Sequence, residues 1–221
     1  ASISVAKYPV SKLSTSINSY PGSACKTTSA TAKEVGASVA INGSYFNTET
    51  IVANTFFSSN GTIICSKVLD ARNNGIVGIK NDGHTVEIQI GNSAQLNRYA
   101  AIYTDVIASG PVLLIDGMVH NNPLDEFNTT SHPRSIIGTD KLGNIWMIAI
   151  DGRFSGKGDG ATIGECSLIC KYFGLDNAIN LDGGGSCSLW TPTTGVMNHP
   201  CDNNRWDHAG ERKVPTVFIA K

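Results

Sequence analysis

Residues 180–186 read Asn-Leu-Asp-Gly-Gly-Gly-Ser and follow the apolar pair Ala178-Ile179. Glycine weakens any strand it joins, because it adds backbone entropy and packs no side chain. Three in a row imply that something approaches the backbone closely. Successive N–H groups at such a turn can form a concave anion nest, and Gly183, Gly184, Gly185 and Ser186 are the candidates to line one. Asp182 stands at the strand end, where a rigid scaffold presents its chemistry. The alternative is a tight turn needing positive φ, with Asp182 as a turn former. Asp151 repeats the pattern, following the apolar run 145–150 and preceding Gly152.

The elements that must position these residues are mostly short strands. Expected strands cover 3–8, 37–41, 51–57, 62–68, 75–79, 85–90, 106–115 and 214–220, with a hairpin at 134–139 and 144–150 and a return strand at 188–190. Many are β-branched and separated by turn formers such as Asn73-Asn74-Gly75 and Asn81-Asp82-Gly83. Further turns are expected at Pro21-Gly22 and Asp116-Gly117. One helix is well specified: Thr162 to Glu165 has the capping-box pattern, and Ile163, Cys166, Ile169, Cys170 and Phe173 recur at helical spacing before Gly174. A short helix is expected near 27–35, and 93–103 reads as a helix or an irregular crossing. Residues 120–133, 152–160 and 191–212 read as loops, the last carrying Trp206 and His208 as a candidate lid. The fold class is α+β: a mixed or antiparallel β-sheet core with few helices in a single domain. Residues 1–35 read as an N-terminal arm packed on a domain of residues 36–221.

The chain has 221 residues, is 41% hydrophobic and 16% charged, and has a formal net charge of −1, which is globular rather than disordered composition. The even charge balance offers no basic nucleic-acid footprint and no polybasic membrane patch. No apolar run reaches the roughly 18 residues of a membrane span. The residues Ala1-Ser2-Ile3-Ser4-Val5 show no charged region followed by an apolar core, so no signal peptide is expected there and the compartment stays open. The six cysteines form no Cys-x-x-Cys pair. Cys166 and Cys170, four apart on the helix, suit the core better than a disulfide.

Several segments line up in order: Asn42-Gly43-Ser44-Tyr45-Phe46-Asn47, Ser109-Gly110-Pro111-Val112, His132-Pro133-Arg134-Ser135-Ile136-Ile137-Gly138, Ile150-Asp151-Gly152-Arg153, Gly160-Ala161-Thr162 and 177–186. Together they resemble the phosphodiester glycosidase family, whose best-known member removes N-acetylglucosamine from the phosphodiester cap on mannose 6-phosphate. The resemblance covers roughly residues 36–220. Ser44 and Tyr45 stand where the family often has Gly and Phe, and Cys187 where a small hydroxyl residue is common.

The resemblance implies hydrolysis of the sugar C–O bond of a sugar-1-phosphodiester or a related envelope or capsule glycan. Such a site needs donors or cations at the phosphate and a carboxylate near the anomeric carbon. On that reading Asp182 and Asp151 are the catalytic carboxylates, converging if their strands end on the same side of one sheet. Arg134 and Arg153 clamp phosphate, since a guanidinium matches it bidentately. Gly183, Gly184, Gly185, Ser186, Asn42, Ser44 and His132 contribute to sugar or phosphate binding, and Tyr45, Phe46 or Trp190 could stack on a sugar face. Glu165 is explained by its capping box. The chemistry requires no cofactor, although Lys157-Gly158-Asp159-Gly160 could hold a structural calcium. The expected partner is a glycan or sugar-phosphodiester substrate, with no nucleic acid and no membrane span. Two alternatives stand beside this: a non-catalytic carbohydrate- or phosphate-binding module of a phage or cell surface, and a metal-dependent phosphodiesterase that breaks P–O bonds.

Overall fold

The computed structural model describes residues 2–20, 22–80 and 82–221, so Pro21 and Asn81 of two expected turns lie outside the described residues. Three β-sheets carry the fold. The first has the strand order Ile3–Pro9, Asn144–Ile150, Arg134–Asp140, Leu175–Asn180, Val112–Ile115 and Met118–Val119. The second runs Val86–Ile90, Gly75–Ile79, Asp105–Ser109, Phe57–Ser59 and Thr62–Cys65. The third runs Gly195–Val196, Leu189–Thr191, Val39–Asn42, Thr216–Ala220 and Thr15–Ser19. Every pairing in the three sheets is antiparallel.

Alternation along the strands explains the packing, since successive side chains leave a strand on opposite faces. One face of each sheet enters a shared core: Ile137 and Met147 from the first, Val77 and Ile107 from the second, Ile41 and Phe218 from the third. The opposite face of each carries a helix. Helix Ile163–Tyr172 covers Ile136 and Ile148 with Cys166 and Cys170. Helix Leu96–Ile102 covers Ile76 and Val106 with Leu96 and Tyr99. Helix Thr28–Val35 sets Ala32 against Ala40, Val217 and Ile219. Strands covered on both faces read as near-continuous apolar runs, which is why 145–150 and 214–220 stand out in the sequence. Each fully buried aliphatic side chain contributes about 1.5–3 kcal/mol of transfer free energy.

Three expected elements differ. The run 106–115 is two strands in two sheets, because Gly110-Pro111 interrupts it and turns the chain from the second sheet into the first. The run 51–57 also divides: Val52–Ala53 pairs with Phe46–Asn47, while Phe57–Ser59 joins the second sheet. Ile51 adopts a positive φ of 52° in the turn before it, a conformation that interrupts extended chain. Within 120–133, Asp125 caps a single helical turn, Glu126–Thr129. Inside the expected arm of residues 1–35, Ile3–Pro9 and Thr15–Ser19 are edge strands of two different sheets, and Ala6, Tyr8 and Ile17 belong to the shared core.

Candidate functional site

Strand Leu175–Asn180 runs beside Arg134–Asp140 and then leaves the first sheet. Leu181 N–H donates to Ser135 O at 2.8 Å, and Asp182 N–H to Gly43 O at 3.1 Å, so the chain crosses from the first sheet to the third at Asp182. A cavity of about 300 Å³ opens at this crossing. Of the expected residues, His132, Arg134, Arg153, Asp182, Gly183, Gly184 and Gly185 line it; Asn42, Ser44, Asp151 and Ser186 do not.

Arg134 is 1% exposed. Its Nε donates to Ala161 O at 2.9 Å, and one Nη donates to Phe127 O at 2.7 Å and Thr130 O at 3.0 Å. No carboxylate of the described residues pairs with it. Burial pulls its pKa down from the ordinary value. An unpaired buried cation is costly, and a bound anion would offset that cost. The Phe127 ring lies 4.5 Å from the Arg134 guanidinium and 4.0 Å from that of Arg72, so it holds two cations at the cavity.

Across the cavity the Gly triplet meets Arg153 and Arg212. A Cβ on Gly185 would lie 1.8 Å from Asp202 Oδ1 and 2.5 Å from an Arg212 nitrogen; one on Gly184, at φ +58°, would lie 3.0 Å from an Arg153 nitrogen. The glycines therefore make room for charged side chains against the backbone. Of the expected nest donors, Gly184 N–H donates to Pro133 O at 3.0 Å, Ser186 N–H donates to Gly183 O at 3.1 Å, and Gly183 N–H serves the Asp182 carboxylate. Arg212 grips Asp202 with two bonds of 2.6 and 2.8 Å.

Among the described residues Asp182 is the only carboxylate lining the cavity. Burial pushes its pKa up to about 6, against the opposing pull of Ser186, Arg212, Gly183 and Arg153. Ser186 Oγ has no partner of ordinary hydrogen-bond geometry but is near enough to favour the charged carboxylate. Burial, with Arg134 and Arg153, lowers the His132 pKa from its ordinary value, so this imidazole is neutral at pH 7. Tyr45 OH donates to Gly110 O at 2.7 Å and accepts from Asn180 Nδ2 at 2.9 Å.

Four expected site residues lie behind the wall. Asn42 is fully buried; its Nδ2 donates to Asp182 O at 2.6 Å, and its Oδ1 accepts from Ser135 Oγ at 2.7 Å and Ser188 N–H at 3.1 Å. It fastens the crossing strand and has no atom left for a sugar. Ser44 is spent on Ala108 O at 2.7 Å and Thr55 Oγ1 at 3.2 Å. Ser186 is buried behind Asp182. Asp151 ends a strand that runs parallel in direction to Leu175–Asn180, two places away in the same sheet, as expected. Its carboxylate, however, is turned to other partners: Ser2 Oγ at 2.7 Å, His199 N–H at 2.6 Å and His199 Nδ1 at 2.9 Å.

The candidate lid residue Trp206 stacks on that His199 at 3.7 Å and meets Phe154 edge-on at 5.2 Å; neither it nor His208 lines the cavity. Trp190 is core, and Glu165 completes its capping box with Thr162. All six cysteines are free thiols, with Cys166 and Cys170 in the helix-side core. Among the described residues no group of three or more His, Cys, Asp or Glu is arranged to hold a metal ion, and Asp159 Oδ1 accepts from Gly156 N–H at 3.2 Å. Among the described residues no helix is long and apolar enough to cross a membrane. Sequence reasoning missed Arg72, Phe127 and Arg212. Arg72 and Arg212 sit in loops and Phe127 in the single turn Glu126–Thr129, and each offers only an arginine or an aromatic in a stretch that reads as irregular.

The fold has solved counterparts. The catalytic domain of zebrafish N-acetylglucosamine-1-phosphodiester alpha-N-acetylglucosaminidase, auto-inhibited by its pro-peptide, superposes with a TM-score of 0.75 at 22% identity over 99% of this chain and 81% of that one. A hypothetical protein from Synechocystis superposes with a TM-score of 0.67 at 17% identity, over 99% of this chain and 58% of that one. No curated protein matches by sequence. The sequence profile of the phosphodiester glycosidases matches residues 35–221, so the chain belongs to the phosphodiester glycosidase family.

Proposed function

We propose that the protein is a hydrolase that cleaves the sugar C–O bond of a sugar-1-phosphodiester. The observation that carries this reading is the composition of one cavity wall: a single carboxylate of raised pKa faces arginines that lack acidic partners. Arg72, Arg134 and Arg153 have no carboxylate partner among the described residues, while Arg212 is matched by Asp202.

Charge development explains why such a wall suits this reaction. The phosphodiester carries one negative charge. As the bond from the anomeric carbon to oxygen breaks, its electron pair moves to the departing phosphate, which becomes a phosphomonoester approaching two negative charges near neutral pH. Three unmatched guanidiniums against one carboxylate favour the more anionic state, so binding strengthens toward the transition state. The same bond cleavage leaves positive, oxocarbenium-like character on the sugar, which ionised Asp182 stabilises. Water adds its oxygen to the anomeric carbon, and its proton passes to Asp182, whose pKa of about 6 suits a base working near neutrality. The phosphate leaves without acid assistance, so one carboxylate suffices and Asp151 is not needed on the wall. A P–O-breaking metal mechanism has no ligand cluster among the described residues.

Hydrolysis of a sugar-1-phosphodiester in oxygen-18 water tests the reading. Label is expected in the released sugar. Label in the phosphate, or tight sugar-phosphate binding without turnover of any phosphodiester, would overturn it.

A further inference from the structure

Strand Val86–Ile90 is an edge of the second sheet and pairs only with Gly75–Ile79. Bonds at the two ends of that ladder fix its phase: Lys80 N–H donates to Thr85 O at 3.1 Å, and Gly91 N–H to Asn74 O at 2.8 Å. Bonded and outward positions alternate along an antiparallel pair. Glu87 and Gln89 therefore bond to the neighbouring strand, and the N–H and C=O groups of Val86, Ile88 and Ile90 point away from it. None of these outward groups bonds to another of the described residues. The side chains alternate as well. Val86 and Ile88 turn to the shared core, while Glu87 and Gln89 bond to Tyr103 on the other face.

A groove of about 520 Å³ follows this edge, walled opposite by Ile115, Asp116, Thr139 and Asn177 of the first sheet. It shares no residue with the cavity that holds Asp182. Exposed edges invite pairing with another chain, and proteins blunt them with lysine, proline, bulges or short length. Met118–Val119 and Gly195–Val196 are edges of two residues each. On Thr15–Ser19, Thr15 N–H is bonded to Gly83 O at 2.6 Å and Ile17 N–H to Asp105 at 3.1 Å. Val86–Ile90 has neither protection: it is five residues long, in unbroken register, without lysine or proline, and Ile90 is 50% exposed.

The charges along the groove are acidic. Glu87 is matched by Lys80 at 2.6 Å, whereas exposed Asp116 has no cationic partner among the described residues. We propose that the groove docks an extended peptide segment of a partner protein, added to Val86–Ile90 as an antiparallel strand. The segment is apolar at alternate positions and carries a lysine or arginine for Asp116. The outward backbone groups supply the hydrogen bonds of strand addition. Partner residues opposite Val86, Ile88 and Ile90 face the same way as these do, over Ile115. Charge favours a basic partner over a second copy of this chain, which would bring its own Glu87 and Asp116 to an acidic groove.

The test uses a short capped peptide of alternating valine and threonine with a lysine at each end, its binding read by fluorescence anisotropy. In the antiparallel arrangement the valine N–H groups face the strand. Methylating the valine nitrogens is expected to weaken binding at least about tenfold, and methylating the threonine nitrogens less than about twofold. Ile90→Pro removes an N–H that the ladder does not use, so the sheet stays intact and binding is expected to fall at least about fivefold. Asp116→Asn suits the positive φ of 51° at that position. It is expected to weaken the lysine peptide at least about threefold and to leave a glutamine-ended peptide unchanged. No saturable binding up to about 1 mM, or an equal or larger loss from the threonine nitrogens, would overturn the proposal. So would unchanged lysine-peptide binding in either variant, or a dimer in sedimentation that Ile90→Pro converts to monomer.

Discussion

Asp151 and Asp182 share one local pattern, an apolar strand followed by Asp-Gly, and their strands run the same way in one sheet. Their surroundings are opposite. Asp151 is 1% exposed and its carboxylate accepts three hydrogen bonds, from Ser2 and twice from His199, which is itself stacked on Trp206. Asp182 lines a cavity, and burial outweighs its favourable neighbours so that its pKa rises to about 6. A buried charge with a full set of donors is structural, whereas one held under-satisfied in a cleft is available for chemistry. The difference is made by residues distant in sequence, such as Ser2 and His199 for one acid and Arg153 and Arg212 for the other.

The largest effect that could break this contrast is on turnover. Asp182→Asn is expected to lower kcat/KM for a sugar-1-phosphodiester by about 10³-fold or more, with the circular dichroism spectrum unchanged, because it removes the charge facing the developing cation. Asp151→Asn is expected to change kcat/KM less than about fivefold at a temperature where it remains folded. A comparable loss in both variants would erase the distinction between the two acids. Arg134→Lys comes next, with an expected fall of about 10²-fold in kcat/KM. Lysine keeps the charge, but it does not satisfy the carbonyls of Ala161, Phe127 and Thr130 and also present a flat donor edge to phosphate.

Stability should separate the acids in the other direction. Asp151→Ala removes a buried carboxylate and strands the His199 and Ser2 donors, at a cost of about 3–5 kcal/mol. For a chain of this length that lowers Tm by about 10 °C. Asp182→Asn should instead stabilise, and only where Asp182 is charged. Its folded pKa of about 6 lies above the ordinary 3.8, so the folded state holds this proton more tightly than the unfolded chain. The resulting stability is fully present below pH 3.8 and is lost as pH rises through 6. Asp182→Asn is therefore expected to gain of the order of 2–3 kcal/mol over the wild type between pH 4 and pH 8 in denaturant titrations. A gain independent of pH would mean that the carboxylate is not under-satisfied.

These effects depend on contacts that local sequence reveals unevenly. Helix Ile163–Tyr172 was legible because its cap, its periodicity and its terminal glycine all lie between Thr162 and Gly174. The hairpin of Arg134–Asp140 and Asn144–Ile150 was legible for the same reason. The Gly triplet was legible as a place of close approach, but not for what approaches: Arg153, Arg212 and Asp202 come from other loops. Asn42 and Ser44 had the look of ligand-binding polar residues at a strand end, because nothing local reveals that Ser135, Ser188 and Ala108 use up their hydrogen bonds. Arg72 could not be chosen from among the arginines, since its place depends on Phe127, 55 positions along the chain. Segment 106–115 reads as one strand although it contains Gly110-Pro111; its apolar composition outweighs a turn signal that the fold uses to change sheets.

The smallest expected effects sharpen the contrast most, because each acid has one serine beside it. Ser2 Oγ donates to Asp151 at 2.7 Å; Ser186 Oγ lies beside Asp182 and favours its charged form. Ser2→Ala removes one of three donors from a carboxylate that the proposed mechanism does not use, so it should cost about 1–2 kcal/mol in stability and leave the pH profile of kcat/KM unmoved. Ser186→Ala removes help from the carboxylate that the proposed mechanism uses, so the pKa of Asp182 should rise further above 6. Because the proposed reaction needs ionised Asp182, activity is expected to fall on the acid side of that pKa, and in Ser186→Ala the acidic limb should move to higher pH by a few tenths of a unit. A shifted limb in Ser2→Ala with none in Ser186→Ala would reverse the roles of the two acids.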